Sequence, residues 1–256
     1  MKSFSTLQLK LLNALSDNQC HSGQSLADTL NVSRTAIWKQ ISTLSELGLN
    51  INRLPKQGYQ LSKPYIALDT QGIIQGVHHL NAKLANQLNL YTFATIPSTN
   101  QFLKTLSSEE HQIQACIAEK QTEGRGRFRR PWHSPFGQNI YCSLKVHFHG
   151  CPSTLSGLSL VISLAIHEVL KQYTNTPIYI KWPNDLIAEH KKLAGILIEL
   201  SGEGNSGTDV IIGMGININD TKTVYASLQQ ITAKFFDRNL IVSKLITTVY
   251  QYLLVF

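Results

Sequence analysis

The apolar positions of the first sixty residues recur at helical spacing in three short runs. Leu7, Leu9, Leu11, Leu12 and Leu15 predict one helix, which the Ser16-Asp17-Asn18 turn ends. Leu26, Ala27 and Leu30 mark a second over 23–30, after which Asn31-Val32 turns the chain. Ser33 is a natural N-cap for a third helix over 34–47, whose Ile37, Ile41 and Leu44 fall at i, i+4 and i+7. Gly48 closes it as a C-cap. From 51 to 61 the pattern switches to alternation about Lys56-Gln57-Gly58, which predicts a β-hairpin.

Beyond Lys63-Pro64 the two periods mix. A short helix is predicted over 68–77 and a strand over 90–96, and Pro97-Ser98-Thr99-Asn100 opens a helix carrying Phe102, Leu103 and Leu106. Strands follow over 115–121, 139–148, 179–185, 192–200 and 209–219, the third ending in a polar turn and the last two joined by a turn at 202–207. A long apolar helix is expected over 154–173 and a final helix over 240–254. Strands joined by short turns, with helices gathered between others, predict an α+β fold. Its parts are a winged helix-turn-helix over 1–64 and a mixed β-sheet domain with flanking helices over 65–256. No apolar run is expected to reach the roughly 18 residues that cross a bilayer.

Charge sharpens the first part. The chain carries a formal net charge of +7. Residues 1–64 hold seven Lys or Arg against three Asp or Glu, so more than half of that excess lies in the first quarter. Two helices joined by a short turn, the later one cationic at its start, form a helix-turn-helix. Ser33, Arg34, Thr35, Trp38 and Lys39 then read as DNA-facing, with Arg53 and Lys56 on the hairpin wing. The competing reading of these helices is a dimerisation module. Cys20, Cys116, Cys142 and Cys151 form no CxxC pair and no zinc spacing and, with no signal peptide read ahead of them, are expected to be reduced thiols of a cytoplasmic chain.

The densest chemistry is Gly124-Arg125-Gly126-Arg127-Phe128-Arg129-Arg130-Pro131-Trp132, and no Asp or Glu follows it until Glu168. Glycines let backbone N–H groups approach a ligand, while arginines offer fixed forks to phosphate or carboxylate. A solvated basic loop or a nucleic-acid arm has the same composition. Gly213-Met214-Gly215 lacks the third glycine and the following helix of a dinucleotide fingerprint, and the 202–207 turn lacks a Walker ending. His78-His79 has no further ligand cluster near it, so no metal site is expected.

Five motifs in order carry a resemblance. They are Ser98-Thr99-Asn100; Gln121 leading into Gly124-Arg125-Gly126-Arg127 and Trp132; Lys181-Trp182-Pro183-Asn184-Asp185; Lys192-Leu193-Ala194-Gly195-Ile196-Leu197; and Gly213-Met214-Gly215-Ile216-Asn217. Together they resemble the bacterial family of bifunctional biotin–protein ligases and biotin operon repressors, whose catalytic fold is class II synthetase-like. The resemblance implies formation of biotinyl-5′-AMP from biotin and ATP with Mg²⁺, then transfer of biotin to a lysine of a biotin carboxyl carrier protein. It further implies an adenylate-bound homodimer on the operator DNA of biotin genes, with no membrane partner. Lys192, Arg127 and Arg125 take the catalytic places. Ser98, Thr99, Asn100, Gln121, Arg125, Gly126, Arg127, Trp132, Lys192, Gly195 and Gly213 line the biotin side. Arg127, Arg130, Asn184, Asp185 and Asn217 line the nucleotide side.

Departures accompany the resemblance. Pro97 replaces a usual acid, Arg129 stands where a glycine is common, and the SH3-like domain that usually follows is expected to be absent from these 256 residues. The alternative function is a biotin-sensing repressor without catalysis; a lipoate-type ligase is disfavoured by the Gly-Arg-Gly-Arg sequence and the DNA module.

Overall fold

The computed structural model describes residues 1–107, 112–148, 152–201, 207–222 and 224–256. Cys151 and most of the expected 202–207 turn lie outside the described residues.

Three helices open the chain, α1 (Thr6–Leu15), α2 (Gly23–Leu30) and α3 (Arg34–Leu47), followed by a hairpin of β1 (Ile51–Leu54) and β2 (Gly58–Leu61). Local signals fix their ends. Ser5, Ser22 and Ser33 each accept a backbone N–H in the first turn, and α2 and α3 close on left-handed Asn31 and Gly48. Leu11, Leu15, Leu26, Ile37, Ile41 and Leu44 bury together, and Tyr65, Ala94 and Phe136 belong to the same core. The small module is therefore seated on the larger one: Lys2 bridges Thr95, and the Phe4 and Phe136 rings meet edge to face at 6.0 Å.

Then come α4 (Thr70–Leu80), α5 (Ala82–Gln87), β3 (Leu88–Phe93), α6 (Thr99–Lys104), β4 (Ile113–Ala118) and β5 (Ile140–Phe148). The chain finishes with α7 (Leu158–Leu170), β6 (Ile178–Lys181), β7 (Asp185–Ala188), β8 (Lys191–Ser201), β9 (Thr208–Ile216), α8 (Leu228–Thr232) and α9 (Arg238–Val255). Among the described residues seven strands form one mixed sheet in the order β3-β4-β5-β9-β8-β7-β6. Only the β3–β4 pair is parallel, with α6 as its crossover; the other five pairs are antiparallel.

Two expectations need correction. The run 179–185, expected as a strand ending in a polar turn, holds β6 only as far as Lys181; Trp182-Pro183-Asn184 is the turn, and Asp185 opens a further strand, β7, that pairs back on β6. The 18 residues Ser153–Leu170 do reach a mean hydropathy of 1.5, contrary to the expectation of no such run. Their α-helical part is 13 residues, about 20 Å at 1.5 Å per residue, and it packs into the core against the sheet and α9. The helix α5 was not anticipated.

The sheet has two unlike faces. Ile140, Cys142, Leu144, Ala194, Ile196, Val210, Ile212, Met214 and Ile216 point into a large apolar core with Ile162, Ile166, Val169, Ile241, Leu245 and Val249 of α7 and α9. Side chains alternate along a strand, so Ser143, Gly195, Leu197, Glu199, Ile211, Gly213 and Gly215 face the other way. That second face carries the site. Burial pushes the Cys142 thiol up to about 12 and raises that of Cys116, so both stay protonated.

Candidate active site

Three glycines clear the floor. A Cβ on Gly213 would lie 2.4 Å from Asn100 Oδ1, one on Gly215 would lie 2.4 Å from Trp132 Cε2, and one on Gly195 would meet Lys192 Cε at 2.8 Å. Gly195 pairs with Gly215, and Leu197 with Gly213, so the bare patch runs along two adjacent strands. Above it lies a cavity of about 460 Å³. Ser98, Thr99, Asn100, Gln121, Arg125, Gly126, Arg127, Arg130, Trp132, Asn184, Asp185, Lys192, Gly195, Gly213 and Asn217 all line it.

One end, called the neutral end, is a chain of hydrogen bonds among uncharged side chains, held from beneath by the Glu199 carboxylate. Gln121 Oε1 accepts from Thr99 N at 2.9 Å and lies 3.0 Å from Thr99 Oγ1. Ser143 Oγ sits 2.7 Å from Thr99 Oγ1 and 2.6 Å from Asn100 Oδ1. Asn100 Nδ2 donates to Glu199 Oε2 at 2.7 Å. Ser98 is the N-cap of α6, its hydroxyl accepting from Gln101 N at 3.4 Å.

The middle is apolar. Trp132 lies over Gly195 and Gly215, and its indole Nε1 is buried without a hydrogen-bond partner. The Lys192 ammonium is 5.1 Å from the Trp132 ring centre, a cation–π contact.

The far end gathers charge. Lys192 Nζ is 2.8 Å from Asp185 Oδ1, close enough for an ion pair, yet that oxygen receives no aligned hydrogen bond. Arg127 Nη1 donates to Asn184 Oδ1 at 3.4 Å, and Asn184 Nδ2 donates to Ile196 O. Asn217 Nδ2 donates to Lys192 O, fixing the backbone behind the lysine.

The arginine stretch folds back on itself. Gly126 N donates to Arg130 O at 2.7 Å and Trp132 N to Gly124 O at 2.8 Å. Phe128 and Arg129 turn the tip with φ of 56° and 58°. Such values are uncommon for residues bearing a Cβ, which gives the glycine expected at the position of Arg129 its physical reason. Arg125 lines the cavity from this stretch. Its Nη2 donates to Glu199 Oε1 at 3.1 Å, at the neutral end. The register sets Glu199 four residues along β8 from Gly195.

On the small module, Arg34, Thr35, Trp38 and Lys39 are exposed along one side of α3. Arg53 Nη2 donates to Ser42 Oγ at 3.0 Å, tying the wing to that helix. Ser33 spends its hydroxyl on the cap, accepting from Ala36 N.

Residues 92–217 match the biotin/lipoate A/B protein ligase family, and residues 7–60 match a helix-turn-helix domain family. The chain is 37% identical over 250 residues to the bifunctional ligase/repressor BirA of Salmonella typhimurium, across 94% of this chain and 75% of that protein. The chain belongs to the biotin/lipoate A/B protein ligase family. Identity to the bifunctional ligase/repressor BirA of Escherichia coli is 41% over 217 residues, across 83% of this chain and 64% of that protein, so the matched span is under two thirds of that relative's length. A solved biotin protein ligase from Aquifex aeolicus, in complex with biotin and ATP, aligns at 32% identity with a TM-score of 0.56 over 64% of this chain and 70% of that one.

In this member of the biotin/lipoate A/B protein ligase family several cavity residues escaped sequence reasoning. His133 and Tyr225 line the cavity, and Ser143, Lys104 and Glu199 support it from beneath. The alternation in β5 and β8 puts Ser143 and Glu199 on the glycine face. Only the strand pairing reveals that this face is the site.

Proposed function

We propose that the chain joins biotin to ATP as biotinyl-5′-AMP, transfers the biotinyl group to a lysine of a biotin carboxyl carrier protein, and represses biotin genes as an adenylate-bound homodimer. The observation that carries this reading is the graded cavity. A neutral hydrogen-bonding end, a tryptophan over a glycine floor and a cationic end follow one another along two strands. That order suits a polar ureido ring, an apolar bicycle with its chain, and a carboxylate.

In the first step a biotin carboxylate oxygen attacks the α-phosphorus of ATP, and the bond to the β-phosphate oxygen breaks to release pyrophosphate. Two anions must meet. Lys192 supplies a point charge between them, while Arg127 and Arg130 supply charges that do not titrate. Asp185 fits Mg²⁺, which is usually held by one or two carboxylates together with substrate phosphates and would neutralise the triphosphate when bound. Asn184 steadies Arg127, and Asn217 steadies Lys192. In the second step a carrier lysine, as free amine, attacks the acyl carbon; the acyl–oxygen bond breaks, AMP leaves, and an amide forms.

The same intermediate serves both functions. Adenylate that meets no carrier stays bound, and tighter binding to a dimer-competent form shifts the population toward two winged helices on a palindromic operator. The test is biotin-dependent pyrophosphate release from ATP, with the adenylate identified by intact mass. Release with adenylate is expected. Biotin binding by calorimetry without release would replace this reading with that of a sensor lacking catalysis.

A further inference from the structure

The carboxylate of Glu199 touches neither the tryptophan nor the cationic end, yet it receives three donors beneath the cavity. Asn100 Nδ2 reaches Oε2 at 2.7 Å; Lys104 Nζ and Arg125 Nη2 reach Oε1 at 2.7 and 3.1 Å. We propose that Glu199 is the positioning residue of the neutral end, fixing the orientation of Asn100 and the place of Arg125 at once. This rests on the biotin reading given above.

An ionised carboxylate accepts hydrogen bonds and donates none. Asn100 must therefore turn its NH₂ to Glu199 and its carbonyl oxygen to Ser143, whose Oγ lies 2.6 Å away. With the Ser143 proton committed to Asn100, the 2.7 Å contact between Ser143 and Thr99 takes the Thr99 proton, and Gln121 Oε1 keeps the Thr99 N–H. Donors and acceptors along the chain thus take their direction from one anion. Asn100 also stands over Gly213, where no side chain separates it from the sheet. Without the carboxylate its amide is free to flip, and a ring with fixed N–H and C=O groups meets the wrong partners in part of the population.

The second job is mechanical. Lys104 and Asn100 lie on α6, Arg125 lies in the arginine stretch, and Glu199 lies on β8, so one side chain fastens two elements to the sheet. Burial pushes the Glu199 carboxyl upward, but hydrogen bonds from Lys104 and Asn100 and the charges of Lys104 and Arg125 outweigh it and hold the group below the ordinary carboxylate value. Glutamine cannot replace it. An amide oriented to accept from Asn100 through its oxygen directs its own NH₂ toward two cations.

The test uses the full chain. Biotin affinity by calorimetry without ATP, and the kcat and KM for biotin and for ATP in pyrophosphate release, are measured for the parent and for Glu199→Gln. Hydrogen bonds to charged groups carry free energies equivalent to roughly 10–10²-fold. Biotin Kd and KM are expected to rise by about that factor, with KM for ATP and kcat at saturating biotin within about threefold of the parent. Unchanged biotin affinity in a folded variant overturns the inference, as does a loss confined to kcat. If Glu199→Gln does not fold, Arg125→Met is read instead: it should also weaken biotin binding, and parent-like affinity overturns the proposal. A parent that neither binds biotin nor releases pyrophosphate would sink the functional reading itself, which is a distinct result.

Discussion

Arg238 Nη1 donates to Glu119 Oε2 over 2.6 Å, with the two side chains 1% and 0% exposed. Glu119 Oε1 accepts from Tyr65 Oη at 2.8 Å and from Leu68 N at 2.7 Å, while Arg238 also donates to Ile66 O and Asn139 O. One buried pair therefore joins the segment leaving the winged module, the end of β4 and the start of α9. Glu119 lies two residues before Gln121, so the same pair steadies the entry to the arginine stretch. Burial, and then the charge of Glu119, hold the Tyr65 hydroxyl well above 10, so it remains a donor.

Removing one partner strands the other. Arg238→Met should destabilise the chain by about 3–5 kcal/mol in urea unfolding, because a buried carboxylate loses its counter-charge. Adding Glu119→Gln should recover a large part of that loss. A single variant within a few tenths of the parent would show that water reaches the pair.

Gly215→Ala tests the glycine floor. The new methyl would lie 2.4 Å from Trp132 Cε2, against a ring that is already held over two strands. Displacement of about 1 Å in a positioned site costs on the order of 10²-fold. Biotin affinity should fall by about that factor while thermal unfolding stays close to the parent. Equal affinity would mean that Trp132 does not cover the ligand.

Lys192→Met removes the point charge but keeps most of the side-chain length. Adenylate formation should drop about 10²–10³-fold, the usual loss for one preorganised electrostatic group. Biotin binding without ATP should weaken far less, because Trp132 and the neutral end remain. Single-turnover rates with calorimetry separate the two effects.

What could be read from the sequence was what is decided locally. The ends of α2 and α3 follow from Ser22, Asn31, Ser33 and Gly48, all within a turn of the helix they cap. The cavity residues were legible because five motifs came in order. Glu199 and Ser143 were not, for each looks like one polar residue in an alternating strand. Their meaning comes from Gly213, which pairs with Ser143 on one side and Leu197 on the other. At 179–185 the polar turn was legible, but the return strand β7 was not, because only its pairing with β6 and β8 marks it as a strand. The six-residue α5 is too short to display a period.

Glu199 carries a pH signature. Its carboxyl lies below the ordinary 4.5 in the folded chain, so the stability it contributes is present above pH 4.5 and is lost as pH falls through the lower folded value. The stability difference between the parent and Glu199→Gln should therefore be constant from neutral pH down to about that point, then shrink in more acidic solution. Urea unfolding at a series of pH values measures it. A difference that persists undiminished into strong acid would show that charge is not what Glu199 contributes.

The winged module offers a test that leaves the ligase site alone. Arg34 and Lys39 are exposed on α3, and neither touches the cavity. Each phosphate neutralised adds about 0.9 to the slope of log affinity against log salt. Arg34→Ala and Lys39→Ala should each weaken operator binding and reduce that slope by about one, with pyrophosphate release unchanged. Arg53→Ala removes a wing charge and also the bond to Ser42, so its loss should exceed that of Lys56→Ala. Parent-like DNA affinity and slope in all four variants would return the module to the dimerisation reading, because no phosphate contact would then depend on its exposed cations.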